Sequence, residues 1–246
     1  MLYIVATPIG NLEDITLRAL RILGEVDFVL AEDTRNTKKL LNYYKIQTPT
    51  ISFHEYSDEN KYQKIFEMLD SGKKLALVTD AGTPAISDPG GKLVLKIRDY
   101  LKKQIAEKKE SEKYFLQNFK IESVPGPSSL TTAISIAGLP TTKFYFAGFA
   151  PHKKGRQTFF SEISQKFDNE NIKDEEKTAF IFFESPHRIL KSLELLNRFC
   201  PDKKVFLIKE ISKIFEEVMI GKPQELLGLF NQNQAKLRGE FVVIVL

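Results

Sequence analysis

Five short apolar runs, each closed by a turn of unusual composition, constrain this chain more than any other feature. They cover residues 2–6, 27–31, 49–53, 75–79 and 121–124. Most are apolar throughout rather than alternating, the pattern of strands buried on both faces of a parallel sheet. Helical patterns lie between them. Ile15, Leu17, Leu20, Ile22 and Leu23 form one apolar face, with Asp14 as the expected N-cap. Residues 34–43, 59–69 and 91–101 follow the same logic. This strand–helix alternation predicts an open α/β sheet with helices on both faces.

The pattern changes from about Thr142. Residues 143–149, 179–184, 205–211, 217–220 and 241–246 read as strands, and two clear helices, 155–167 and 187–199, lie among them. Some of these strands are expected to pair antiparallel. The reading is therefore two domains, 1–140 with a mostly parallel sheet and 141–246 with a mixed α/β sheet, the boundary falling near Gly138-Leu139-Pro140-Thr141. Residues 102–120, rich in Lys and Glu, read as a helical extension or an insert before the fifth strand.

The chain has 246 residues and a formal charge of +4, a surplus that permits an anionic partner such as RNA without requiring one. One cysteine, Cys200, cannot form an internal disulfide, and a cytoplasmic location fits it. Three histidines and that cysteine show no metal spacing, so no metal site is expected. No run approaches the roughly 18 apolar residues of a membrane span. The apolar start, Met1-Leu2-Tyr3-Ile4-Val5, lacks a positively charged n-region and reads as a strand rather than a signal peptide.

In parallel sheets, ligands bind beyond the carboxyl ends of the strands. The five turns of the first half all fall on that edge. They are Thr7-Pro8-Ile9-Gly10-Asn11, Glu32-Asp33-Thr34-Arg35, His54-Glu55, the segment from Asp80 to Gly90, and Pro125-Gly126-Pro127-Ser128-Ser129. Any one of them alone reads as a structural turn, because Pro fixes φ and Gly accepts positive φ. Together they read as a binding edge. No G-x-x-x-x-G-K-[ST] or strand-linked G-x-G-x-x-G occurs. Glu32, Asp33, Glu55, Asp80 and Asp88 would repel a bare phosphate and suit a ligand carrying positive charge. S-adenosylmethionine, with its sulfonium and amino group, is such a ligand, although this chemistry excludes phosphate-led ligands better than it selects that one.

The stretches LYIVATPIGNLEDITLRALRIL (2–23), AEDTRNTKKLL (31–41), SFHEY (52–56), ALVTDAGTPAISDPG (76–90), VPGPSSLTTAISIAGLP (124–140), FAGFAPHKKGR (146–156), FFESPHRI (182–189) and GEFVVIVL (239–246) span nearly the whole chain in order. In this combination the chain closely resembles the ribosomal RNA small-subunit methyltransferase I group of the tetrapyrrole methylase superfamily. The resemblance implies two α/β domains with S-adenosylmethionine in the cleft between them, and a homodimer. It also implies 2′-O-methylation of a cytidine ribose in the decoding region of 16S ribosomal RNA, within the 30S subunit. By motif, Thr7, Pro8, Ile9, Gly10, Asp80, Ala81, Gly82, Thr83, Ile86, Ser87, Asp88, Ser128 and Ser129 would line the cofactor cleft. Phe183 and Glu184 would approach it from the second domain. The 151–156 loop, with Lys153, Lys154 and Arg156, would face RNA, as would Arg35 and Lys38.

The motifs do not choose a proton acceptor among Asp33, His54, Glu184 and His187. Asp33 with Arg35 reads equally as an acid beside a phosphate-binding guanidinium or as an ion pair at a helix start. Lys209 stands where the group usually carries arginine, which keeps a charge but loses a bidentate contact. The chain stops directly after its last strand, whereas some relatives continue with a helical extension. Two rival readings remain open. One is a tetrapyrrole C-methyltransferase, which would share the cofactor cleft but lack the basic loop. The other is a non-catalytic RNA-binding or ribosome-assembly module, which has no need of five specialised strand ends.

Overall fold

The structure, a computed structural model, describes residues 1–88, 90–108, 120–139, 142–167, 178–233 and 237–246. Two compact units divide the chain, Met1–Ser128 and Ser129–Leu246.

The first unit runs β1 (Leu2–Val5), α1 (Leu17–Glu25), β2 (Phe28–Ala31), α2 (Thr34–Tyr43), β3 (Thr50–Ser52), α3 (Glu59–Asp70), β4 (Leu75–Val78), α4 (Gly90–Lys108) and β5 (Ile121–Val124). The strands lie in the order β3-β2-β4-β1-β5, and every pairing is parallel. The continuous apolar runs have a direct cause in β4, the central strand. Leu75 and Leu77 join a core with α3 and α4, while Ala76 and Val78 join a second core with α1 and α2. Successive side chains of a strand point to opposite faces, so a strand covered on both sides needs apolar residues at every position.

Helix starts follow side-chain capping. Thr16, not Asp14, caps α1, its hydroxyl accepting from the Ala19 N–H at 3.0 Å. Asp14 instead belongs to a short 3-10 turn, Leu12–Asp14, so the helix begins later than the apolar spacing alone indicates. Asp33 and Asp58 cap α2 and α3 in the same way. The helix expected at 91–101 continues to Lys108. The rest of the charged stretch, 109–119, lies outside the described residues.

The second unit runs α5 (Ser129–Ala137), β6 (Phe144–Phe149), α6 (Arg156–Gln165), β7 (Ala179–Glu184), α7 (Ile189–Phe199), β8 (Val205–Lys209), β9 (Glu217–Gly221), α8 (Pro223–Gln232) and β10 (Phe241–Val245). Its strand order is β6-β7-β10-β8-β9, with β6 and β7 parallel and the other pairs antiparallel. Phe182, Leu207 and Val243 face α6, α7 and α8 in one core with Phe160, Leu193 and Phe230. On β8 and β10 the sheet also meets α5, which therefore belongs to this unit. The division thus falls at Ser128/Ser129, one helix earlier than the 138–141 turn at which the sequence placed it. Helix α8 adds to the two helices expected here. Pro223 opens it, and the Glu225 carboxylate accepts from the Lys222 N–H at 2.8 Å.

Candidate active site

Because all five strands of the first sheet run parallel, the five specialised turns share one edge. Hydrogen bonds join four of them into one structure. Thr7 and Gly82 form an isolated antiparallel bridge, with Thr7 N–H donating to Gly82 O at 2.9 Å and Gly82 N–H to Thr7 O at 3.1 Å. The buried Thr7 hydroxyl also donates to Thr79 O at 3.2 Å. Thr83 ties in the β5 turn by donating to Pro127 O at 2.9 Å. Asp80 ties in the β2 turn, accepting from the Asp33 N–H at 3.2 Å.

Glycine is required at the centre of this junction. Gly82 has φ +82°, and a Cβ there would stand 3.2 Å from Ile9 Cγ2 and 3.7 Å from Pro127 O. The turns after β1, β4 and β5 thus close on a backbone position where a side chain would be strained and would press on Ile9. The next turn holds Ala85 at φ 75° and Ser87 at φ 67°, both in the left-handed region. Asp88 braces them, its Oδ1 accepting from the Ala85 N–H at 2.8 Å and the Gly90 N–H at 2.7 Å. Non-glycine residues held in this conformation concentrate at functional sites.

The carboxylates of the edge differ in proton affinity. Asp33 accepts from the Arg35 N–H at 2.8 Å and grips the Arg35 guanidinium at 2.7 to 3.2 Å. Those hydrogen bonds hold its pKa down at about 2. Glu32 moves the other way. Burial pushes its carboxyl above the ordinary range, the neighbouring Asp80 and Asp88 charges add to this, and the Thr79 hydroxyl, donating at 3.1 Å, partly offsets it. Glu32 was visible in the sequence only as one carboxylate among several, since basicity depends on burial. His54 stands at the end of edge strand β3, its Nδ1 accepting from the Tyr56 backbone N–H at 3.2 Å and its backbone N–H donating to Ser57 Oγ at 3.0 Å. Lys38 is exposed on α2.

In the second unit two of the expected site residues are buried against each other. Glu184 is fully buried at the end of β7, and Arg156, the expected RNA contact, is only 4% exposed. Arg156 Nη2 donates to Glu184 Oε2 at 2.7 Å, and Arg188 Nε lies 2.9 Å from Glu184 Oε1. Ser192 Oγ and the Ser185 N–H also donate to that carboxylate, at 2.6 and 2.8 Å. Two guanidinium groups and two further donors occupy both oxygens. Both oxygens of Glu184 are thus engaged by neighbouring donors, and Arg156 is its buried ion-pair partner. Lys153 and Lys154 remain exposed in the loop before α6. Phe183 packs edge-on against Phe146 and Phe149, at ring separations of 5.0 and 5.2 Å. His187 is exposed in the turn before α7, and Ser129 is the first residue of α5. Lys209 is buried, with Nζ 3.9 Å from Glu217 Oε2. Among the described residues no group of three or more His, Cys, Asp or Glu is placed to hold a metal ion, and no helix is long and apolar enough to cross a membrane.

Residues 1–227 match the family model described as Tetrapyrrole (Corrin/Porphyrin) Methylases. The chain belongs to this family of methyltransferases. Its curated relatives include "Ribosomal RNA small subunit methyltransferase I" of Thermotoga maritima, 39% identical over 99% of this chain and 97% of that one. The protein of the same name from Coprothermobacter proteolyticus is 40% identical over 100% and 97%. Bacillus subtilis has another, 37% identical over all of this chain and 74% of the relative. The resemblance read from the motifs thus holds over the full length. Among solved structures, a cobalt precorrin-4 methyltransferase superposes with a TM-score of 0.62 at 17% identity, covering 99% of this chain and 93% of that one. A uroporphyrin-III C-methyltransferase from Thermus thermophilus, solved with S-adenyl homocysteine, superposes with a TM-score of 0.56 at 16% identity, covering 99% and 96%. At those identities the likeness is one of fold, and the two-unit α/β architecture is that of the family.

Proposed function

We propose that this chain transfers a methyl group from S-adenosylmethionine to the 2′-hydroxyl of a cytidine ribose in the decoding region of 16S ribosomal RNA. The observation that carries the reading is the full-length similarity to relatives named as small-subunit ribosomal RNA methyltransferases. The edge of the first sheet is consistent with the cofactor. Its turns meet at Gly82 with no side chain intervening, and it bears Glu32, Asp80 and Asp88, which suit a sulfonium and an ammonium. Thr7 to Gly10, Asp80 to Thr83, Ile86 to Asp88 and Ser128 would hold it.

When bound, S-adenosylmethionine supplies a methyl group already activated by a good leaving group. This chain's residues must then place the ribose hydroxyl and take its proton, with placement the larger contribution. Asp33, with a pKa of about 2, is a weak proton acceptor at neutral pH. Its role is to cap α2 and hold Arg35 beside the edge, where the guanidinium can meet a phosphate. Glu32 is the better acceptor on the same edge. Asp33→Asn is therefore expected to raise KM for the 30S subunit with little change in kcat. Glu32→Gln is expected to lower kcat about a hundredfold, the usual scale of general-base catalysis. In the wild type, kcat should fall on acidification at a pH above the ordinary 4.5 of a glutamate, because protonation removes the acceptor. A kcat loss confined to Asp33→Asn would reverse these roles.

The exposed Lys153 and Lys154 are proposed to contact RNA. Charge reversal at both should weaken 30S binding severalfold in a filter assay and leave the melting temperature unchanged. Equal loss of cofactor and RNA binding would instead indicate misfolding. The reading as a whole is tested by methyl transfer to 30S subunits lacking the modification, followed by mapping of the labelled nucleotide. Label on a tetrapyrrole and none on RNA would favour the C-methyltransferase. A chain that S-adenosylmethionine fails to stabilise against melting would be a non-catalytic module. A homodimer in the cytoplasm, as the resemblance implies, belongs to the same proposal.

A further inference from the structure

We propose that the cavity in the first unit between α2 and the ends of β1 and β4 binds one nucleoside of the RNA substrate, with Tyr43 stacking on its base and Lys39 meeting its phosphate. The inference rests on the RNA methyltransferase reading and assigns a place to its substrate.

The cavity has a volume of about 360 Å³, within the usual range for small-ligand pockets. Asn36, Lys39, Leu40 and Tyr43 form its α2 wall, and Pro8 and Asp80 stand opposite. Positions 36, 39, 40 and 43 recur at the spacing of one helical face. Thr37, which this helix buries, also lines the cavity and Leu40 packs on the core, so the wall runs from the buried side of α2 out to the exposed Asn36, Lys39 and Tyr43. Tyr43 is 61% exposed, far more than an aromatic ring needs to be on a helix lying against a sheet. Its ring is nevertheless located. Tyr44 meets it edge-on at 4.9 Å and is itself anchored by a hydroxyl donating to Leu12 O at 2.6 Å.

The polar groups of the wall are uncommitted. Lys39 forms no ion pair among the described residues, whereas Arg35, one turn earlier, is bound to Asp33. The Asn36 side chain, whose amide offers both a donor and an acceptor, likewise makes no hydrogen bond among the described residues. Asp80 spends one carboxylate oxygen on the Asp33 N–H, leaving the other for an exocyclic amine. A flat ring, an amide, one free cation and one carboxylate match a nucleoside with its phosphate. A free phosphate would use Lys39 alone and leave Tyr43 without a stacking partner. Thr7 and Asp80 belong both to this cavity and to the proposed cofactor edge, so a nucleoside held here would adjoin that edge.

The test uses the full-length protein and unmodified 30S subunits. Tyr43→Ala is expected to raise KM for 30S about tenfold, the scale of losing one base–aromatic stack, with kcat and the calorimetric Kd for S-adenosylmethionine near wild type. Tyr43→Trp should restore KM. Lys39→Ala, an exposed substitution with little risk to folding, should flatten the dependence of log Kd on log salt by about 0.7, one single-stranded phosphate contact. Lys64→Ala, on α3 outside the cavity, serves as the control and should change neither quantity. The proposal is overturned if Tyr43→Ala and Lys39→Ala both stay within twofold of wild type. It is also overturned if Tyr43→Ala weakens S-adenosylmethionine as much as it weakens RNA, which would make the cavity part of the cofactor site. Should Tyr43→Ala fold poorly, Lys39→Ala decides alone. A wild type inactive on 30S would remove the RNA methyltransferase reading itself, whereas an active wild type with indifferent variants removes only the cavity's role.

Discussion

Glu184→Ala is expected to destabilise the protein by about 3–5 kcal/mol, read as a fall in the urea midpoint, because it strips two guanidinium groups of their shared buried carboxylate. The Glu184 side chain is 0% exposed, Arg156 sits at 2.7 Å from it and Arg188 at 2.9 Å. Arg156 has other partners, donating to Pro151 O at 2.7 Å and Ser192 Oγ at 2.6 Å, but these are neutral and leave its charge uncompensated. Its Nε is already buried without a hydrogen-bond partner, so the site has no reserve to absorb a further loss. Arg156→Glu, placing two buried carboxylates together, should be worse and should prevent folding. Glu184→Gln keeps the shape and one acceptor oxygen, which can still serve the Ser185 N–H, and its loss should be smaller than that of alanine. The network also makes a sharp statement about catalysis. A Glu184→Gln enzyme with wild-type stability and no methyl transfer would return Glu184 to the catalytic site.

Gly82→Val should weaken S-adenosylmethionine at least tenfold, about 1.4 kcal/mol, by calorimetry. A β-branched residue at φ +82° is strained by about 1–3 kcal/mol, and its Cβ would press on Ile9. The relief available is to part the Thr7–Gly82 bridge, which opens the junction of three turns. Gly72→Ala is the control. That glycine also has positive φ, at +81°, yet a Cβ there meets nothing within 4 Å. Its substitution should lower stability and spare the cofactor. Wild-type cofactor affinity in Gly82→Val would show that the junction plays no part in binding.

Much of the fold was legible because its causes are local. The apolar 75–78 run announced a central strand, since a strand covered on both faces needs an apolar residue at every position. The turns at 7–11, 80–90 and 125–129 were legible as one edge because a parallel sheet sends every strand end the same way. Boundaries set by a single hydrogen bond were not. Asp14 and Thr16 are both good caps, and only the position of the Ala19 N–H selects Thr16. Helix α5 follows the first-half rhythm, yet it packs on β8 and β10, a choice that no local pattern records.

The same division runs through the site. By itself the sequence determined the parallel sheet and the carboxylate-rich edge, both of which depend on residue types at short, readable spacings, and its motifs carried the resemblance to the family. Only the tertiary structure decided what the charged residues do. It buried Arg156 on the Glu184 carboxylate, 28 positions away, and so gave both residues a structural partner. It bound Asp33 to Arg35 while raising the proton affinity of Glu32 beside it, and it left Asn36, Lys39 and Tyr43 open along one side of α2. A charge takes its role from its partner and its solvent exposure, and both are set by chain segments that meet only after folding.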